Sequence, residues 1–259
     1  MLEHRIRPLW ESRPVEFPLA GEVLDLATGL IVHSRYVEGR ARQAGYTGPI
    51  WRIPHPAWPD PEVEPLPVEG DPLFGCFGHL NETKRILPLL KAFERARTGR
   101  PGARLLLVGA VPARLQRLDL PGGVIREEYV PEARLWALMT ACDVCISLRA
   151  PTMGETSGST IRALTLGKPL VVSDVGWFSE LPDEVALKVP VDEREVETLV
   201  AALELLASDA GARVAMGEAA VRLAEGDHRL DRVADAYAAV LEEAAAAVSA
   251  AAGPVRAAA

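Results

Sequence analysis

Positive charge, cysteine and long apolar runs are all scarce in this chain of 259 residues. Lysine and arginine total 28 against 36 acidic residues, a formal charge of −8. That balance speaks against a nucleic-acid-binding surface, and simple solubility accounts for it. No apolar run approaches the ~20 residues of a membrane-spanning helix, so no integral membrane segment is expected. The opening MLEHRIRPLWESRP lacks the apolar region of a signal peptide, and a cytoplasmic protein is expected. Three cysteines, Cys76, Cys142 and Cys145, lie in or beside apolar runs. Cys142 and Cys145 have redox or metal-like spacing, but no second ligand pair accompanies them. Buried thiols in a reducing compartment are the expectation. No H-x-x-x-H spacing and no recognisable triad motif occurs, so neither a zinc site nor a hydrolase triad is expected. Internal repeats are absent.

What is present is an apolar fraction of 49%, ample for a packed core. The chain is organised around the stretch from Arg149 to Pro182. An apolar run at 144–148 enters a loop holding Pro151, Gly154, Glu155 and Gly158. A helical pattern opens at Ser159, Gly167 stops it, and Pro169 prevents its continuation. A second apolar run at 170–172 then meets a Gly-bearing turn, Ser173-Asp174-Val175-Gly176. Strand, loop, helix and strand make one right-handed crossover of a parallel sheet. Ligands of such sheets sit outside the carboxyl ends of the strands. A Gly/Ser/Thr-rich loop entering a helix also offers free N–H groups to an anion. Glu155 to Thr160 is therefore a candidate nucleotide or sugar-phosphate site, or else a connection whose Ser and Thr only cap the helix.

Residues 1–53 contain an irregular, Pro/Arg/Glu-rich start and then an α-β-α-β piece with short strands at 30–32 and 50–53. Two short strands make a marginal sheet alone, so this piece reads as the edge of a larger one. Residues 54–72 hold seven prolines among acids and read as a stiff linker. Residues 73–248 alternate six strands with helices, the pattern of a doubly wound parallel α/β sheet in order 3-2-1-4-5-6. The strands fall at 73–77, 104–108, 124–129, 144–148, 170–173 and 185–189, with a short helix expected at 112–117. Residues 249–259 are an Ala-rich tail expected to fray.

Several residues could carry chemistry. Lys84 and Arg85 follow the first main strand and Gly78; two cations there suit a diphosphate, or form a solvated pair on a surface helix. Glu155 could accept hydrogen bonds from sugar hydroxyls, or serve only as an acid at a helix N-terminus. Glu180, beyond the next strand, has the same two readings. Trp177 and Phe178 suit a pocket wall or a plug against the core. Arg162 faces the cleft or solvent. His33, His55 and His79 lie at strand ends.

From Leu73 onward the sequence resembles the nucleotide-sugar-binding half of GT-B glycosyltransferases of the retaining family 4 type, with a six-stranded Rossmann-like sheet. Gly78-His79-Leu80-Asn81-Glu82-Thr83-Lys84 resembles the family's G-R-L-x-x-x-K loop. Residues 104–109 resemble its L-x-x-V-G strand, 129–143 its V-x-x-x-x-L…ACDV stretch, and 154–176 its E-G-F-G…G-x-P-V-V-x-S-D-V-G block. Glu180 matches the acid of its G-G-x-P-E turn. The resemblance runs from about residue 27 to 243, and 31–34 and 53–56 resemble the end of the family's N-terminal domain. It implies transfer of a sugar from an NDP-sugar, UDP or GDP favoured, with retention of configuration and usually without a bound metal. Gly78, His79, Lys84, Arg85, Thr156, Ser157, Gly158, Ser159, Arg162 and Glu180 would bind the donor. Glu155 would approximate the first catalytic acid of a paired-Glu motif.

The chain departs from that pattern in four ways. His79 replaces the loop arginine, Glu155 is displaced by one position, Arg162 stands where the second acid would hold the ribose, and the length is too short for two full domains. The expectation is a donor-binding part, inactive without the missing acceptor half, which would join as a partner, or as a homodimer, through an exposed sheet edge. The alternative is a non-catalytic nucleotide-sugar-binding or protein-interaction module. A GT-B epimerase fits less well, because its fuller acid/base set is not evident.

Overall fold

The structure, a computed structural model, describes residues 21–112 and 116–252. The irregular start, the middle of the helix expected at 112–117 and the tail beyond 252 lie outside the described residues.

The N-terminal piece comprises α1 (Gly21–Leu26), β1 (Leu30–Val32), α2 (Arg35–Gln43) and β2 (Ile50–Arg52). β1 and β2 pair in parallel, with Leu30 opposite Ile50. Ser34 starts α2 because its hydroxyl accepts the Val37 N–H at 3.1 Å, satisfying one orphan donor of the first turn.

The larger unit carries β3 (Leu73–Phe77), α3 (Ile86–Arg97), β4 (Arg104–Val108), β5 (Val124–Glu127), α4 (Glu132–Ala141), β6 (Val144–Ser147) and α5 (Gly158–Thr165). It continues through β7 (Leu170–Ser173), β8 (Ala186–Val189), α6 (Glu195–Ser208), α7 (Ala210–Gly226) and α8 (Leu230–Ala252). The six strands form one parallel sheet in the order β5-β4-β3-β6-β7-β8. Counted from β3, this is the 3-2-1-4-5-6 order that the alternation of elements implies.

The strands are apolar on both faces because helices cover both faces. Leu73, Phe77, Leu106, Val108 and Val172 point to one side, against Leu138 and Met139 of α4, Ile161 and Leu164 of α5 and Ala220 of α7. Phe74, Cys76, Leu105, Leu107, Ile146 and Val171 point to the other, against Leu89 and Phe93 of α3 and Leu199 and Leu203 of α6. Burying each large apolar side chain is worth roughly 1.5–3 kcal/mol, so this double layer dominates folding and holds the strand ends rigid.

The Pro-rich segment 54–72 lies along the larger unit with no helix or strand of its own. Leu66 N–H donates to the Ala137 carbonyl at 3.2 Å, and Leu66 and Val68 rest on the core. Ala57 N–H donates to the His228 carbonyl, and His228 Nδ1 lies 2.7 Å from the His55 carbonyl. Trp51 Nε1 reaches Glu243 of α8 at 3.3 Å. The N-terminal piece is thus fastened to the end of the chain that follows the sheet.

Candidate functional site

Four loops leave the carboxyl ends of β3, β4, β5 and β6 on the same edge of the sheet. Between them lies a cavity of about 420 Å³ lined by residues from all four and by the first turn of α5. Two glycines make it. Gly78 and Gly109 have φ of 109° and 138°, a region L side chains rarely adopt. A Cβ on Gly109 would collide with the Gly78 carbonyl, so the two loops approach as closely as they do only because Gly109 lacks a side chain.

Behind Gly78, Asn81 caps the 3-10 turn Glu82–Lys84 by accepting the Thr83 N–H at 3.1 Å. The turn aims Lys84 inward. Its residue is 3% exposed, and Nζ donates to the Phe77 carbonyl at 3.0 Å. Burial pushes the Lys84 pKa below its ordinary value; the charge on Arg149 pushes the same way, while Cys76 and Glu155 oppose it. Such a cation is poorly solvated and gains from an anion at its side.

The opposite wall is α5. Ser157 caps it by accepting the Thr160 N–H at 3.3 Å, and its hydroxyl lies 3.1 Å from that of Ser159. The first-turn N–H groups at Gly158 and Ser159 have no carbonyl four residues back in the helix, and both residues line the cavity. The helix N-terminus adds about half a positive charge there. Thr156 also lines the cavity, and its hydroxyl is buried without a hydrogen-bond partner.

Arg162 sits toward the β5 side. Its guanidinium lies 5.4 Å from the centre of the Trp136 ring and donates to Glu132 at 2.8 Å, while Nε is buried without a hydrogen-bond partner. Tyr129, Val130 and Leu135 supply an apolar wall beside it. His79 also lines the cavity.

The structure therefore brings together Gly78, His79, Lys84, Glu155, Thr156, Ser157, Gly158, Ser159 and Arg162 around one cavity. Arg85 and Glu180 stand elsewhere. Arg85, at φ 53°, turns away from Lys84 and is ion-paired and hydrogen-bonded through two nitrogens to Glu195, a residue 3% exposed on α6. Glu180 accepts the N–H groups of Arg35 and Tyr36 at 3.0 and 2.7 Å, closing the N-terminus of α2. Glu180→Ala should destabilise the fold by about 1 kcal/mol, as loss of a helix cap does. Chemical denaturation would measure it, with ligand affinity unchanged. Trp177 and Phe178 are the plug rather than the wall: both are buried, with ring centres 5.3 Å apart. His33, after β1, and His55, in the Pro-rich segment, meet edge to face with ring centres 5.8 Å apart.

Sequence reasoning missed Arg149, Tyr129 and Gly109, all of which line the cavity. The signal for Arg149 was an arginine at the carboxyl end of an apolar strand, where a packed core demands no charge. The cysteines are buried and free; burial pushes their pKa values up, that of Cys145 to about 12. Among the described residues, no group of three or more His, Cys, Asp or Glu side chains is placed to hold a metal. No helix among them is long and apolar enough to cross a membrane.

A six-stranded parallel sheet with a cationic, Gly-rimmed cavity at its carboxyl edge is the Rossmann-like arrangement that GT-B proteins share with other nucleotide-binding folds. The sequence profile of the family described as "Glycosyl transferases group 1" matches residues 71–209, more than half of the chain, and the chain belongs to that family. Sucrose-phosphate synthase from Thermosynechococcus elongatus superposes with a TM-score of 0.74 at 20% identity, over 93% of this chain and 64% of that one. The Anabaena Alr3699/HepE protein in complex with UDP superposes with a TM-score of 0.74 at 18% identity, over 93% and 71%. The GtfA/B complex gives 0.70 at 17% identity, over 87% and 47%. The chain thus spans about half to two-thirds of the length of several of these structures. No curated protein sequence matches it.

Proposed function

We propose that this chain is the nucleotide-sugar-binding part of a retaining glycosyltransferase that takes an NDP-sugar, UDP or GDP favoured, and needs no resident metal. The carrying observation is Lys84, 3% exposed in a cavity whose facing wall is a helix N-terminus. Those two features complement a diphosphate, which a metal would otherwise neutralise. The apolar wall of Tyr129, Val130 and Leu135 suits the base. The Alr3699/HepE structures contain UDP and UDP-glucose, which favours a uridine donor here. In the transfer, the bond from sugar C1 to the diphosphate oxygen breaks, an acceptor hydroxyl oxygen bonds to C1, and its proton leaves with the diphosphate. Lys84 and the amides of α5 would hold the charge released on the diphosphate.

The acceptor side would come from elsewhere. Among the described residues, β1 and β2 form a sheet of two strands only, whose free edges suit an added strand from a partner or a second copy. Light scattering of the purified chain showing only monomer would remove the second-copy reading. The chain alone should bind donor without turning it over, and measured sugar transfer would overturn that. Three free, buried thiols suit a cytoplasmic setting.

The first test is a melt of the purified chain with UDP, GDP, ADP and TDP. A ligand at ~10 times its Kd adds about 1.4 kcal/mol. For a domain of this size that is a rise of roughly 3–6 °C. No rise with any of the four would remove the nucleotide-sugar reading and favour a protein-interaction module.

A further inference from the structure

We propose that Arg149 is a second diphosphate-binding cation of this site and that Glu155 is the residue that positions it. The inference rests on the nucleotide-sugar reading of the cavity.

Arg149 is fixed from three directions. Its backbone N–H donates to Ser173 Oγ on β7 at 2.9 Å. Its Nη1 donates to Thr83 Oγ1 at 2.6 Å, and the next residue's N–H donates to the Thr83 carbonyl at 2.8 Å. Its Nε is ion-paired with Glu155 Oε1 at 2.6 Å without the alignment of a hydrogen bond, and its side chain is only 16% exposed. The guanidinium thus joins the loop after β6 to the turn that carries Lys84. A guanidinium has five N–H donors, more than Thr83 and Glu155 use, in a fork that matches phosphate oxygens.

Lys84 and Arg149 line the same cavity and lie close enough for Arg149 to depress the Lys84 pKa. Two cations lining one cavity repel each other, and an anion between them relieves the repulsion. Among the described residues Glu155 is the one carboxylate of the lining, and three partners hold it. Its Oε1 meets Arg149, while its Oε2 accepts the Met153 N–H at 2.7 Å and the Thr152 hydroxyl at 3.1 Å. These three contacts tie its own loop to the guanidinium. The strand order sets which phosphate Arg149 meets. The apolar wall belongs to the β5 side and Arg149 to β6, with β4 and β3 between. A nucleotide with its base on that wall presents its distal phosphate to Arg149.

The test is isothermal calorimetry of the whole chain with UDP, GDP, ADP and TDP, then with the monophosphate and the sugar of whichever binds. Arg149→Met should weaken the diphosphate about ten- to a hundredfold, the range of a lost charge-assisted contact, and leave the monophosphate unchanged. Arg149→Lys keeps the charge without the fork and should fall between. Glu155→Gln should shift the diphosphate and its sugar by the same factor. Added to Arg149→Met, it should partly restore affinity by removing a carboxylate left without its partner. Unliganded melts check folding, and Glu155→Gln with Arg149→Lys decide the matter if Arg149→Met does not fold. Diphosphate affinity unchanged in the Arg149 variants would overturn the inference alone. So would a Glu155→Gln effect confined to the nucleotide sugar, which would return Glu155 to the sugar itself. A wild-type chain that binds none of the four diphosphates would overturn the nucleotide-sugar reading and this inference with it.

Discussion

Lys84→Met is expected to lower affinity for the bound nucleoside diphosphate by at least about thirtyfold, the loss of one desolvated charge contact, with a much smaller change in fold stability. Two effects on stability oppose each other. Methionine removes a charge that burial disfavours, but it leaves the Phe77 carbonyl without the donor that Nζ supplies at 3.0 Å. An unmade buried hydrogen bond costs about 1–3 kcal/mol, comparable to the relief. The pH dependence separates them. The folded pKa of Lys84 lies below its ordinary 10.5, so the unfolded chain holds this proton more tightly than the folded one. Below the folded value both states are protonated and the burial penalty is fully present. As pH rises from the folded value toward 10.5, the folded protein loses the proton first and the penalty is relieved. Wild type should therefore gain stability relative to Lys84→Met across that window. Denaturant melts of both proteins at several alkaline pH values would show it. A difference flat with pH would mean that the lysine is solvated, and that its contact with a diphosphate is weak.

The sheet was legible because its cause is local. Runs such as Leu105–Val108 and Leu170–Val172 are apolar at every position, which only a strand covered on both faces tolerates. Glycines and prolines mark where each run stops, so the order of elements followed, and with it the carboxyl edge where the cavity lies. Ser157, Gly158 and Lys84 were legible for the same reason: each belongs to a turn whose geometry is written within four residues. What escaped depends on partners distant in sequence. Glu180 stands 144 residues from Tyr36, whose N–H it holds, and Arg85 stands 110 from Glu195. Nothing near either residue tells a ligand-binding charge from a satisfied one. Arg149 is the converse, since its link to Thr83 spans 66 residues. Its neighbours in sequence gave no sign that it would face Lys84. The proline-rich segment was read as a spacer from its composition. The contact of Leu66 with Ala137 needs the fold to be seen.

Gly109→Ala is expected to be the most damaging single methyl group that can be added at the site. It should destabilise the chain by about 2–3 kcal/mol, since strained φ alone costs of order 1–3, and lower the melting temperature by roughly 4–10 °C. At φ 138° an L residue is strained whatever the space around it. The added Cβ would also strike the Gly78 carbonyl, which is backbone and cannot rotate aside as a side chain would. Relief therefore requires the loop after β3 or the loop after β4 to move. Gly78 N–H is held by the Val108 carbonyl at 2.9 Å, and Gly109 N–H by the Glu127 carbonyl at 3.0 Å, so either movement breaks a ladder bond at the sheet edge. Gly78 also borders Lys84, whose Nζ would lie 3.6 Å from a Cβ there, and shifting that loop displaces the cation from the cavity. Diphosphate affinity should fall together with stability. Gly39→Ala is the control: it lies inside α2 with nothing within 4 Å of its added Cβ, and it should stabilise slightly because alanine favours helix. If Gly109→Ala melted like wild type and bound diphosphate equally well, the close approach of the two loops would not be what shapes the cavity.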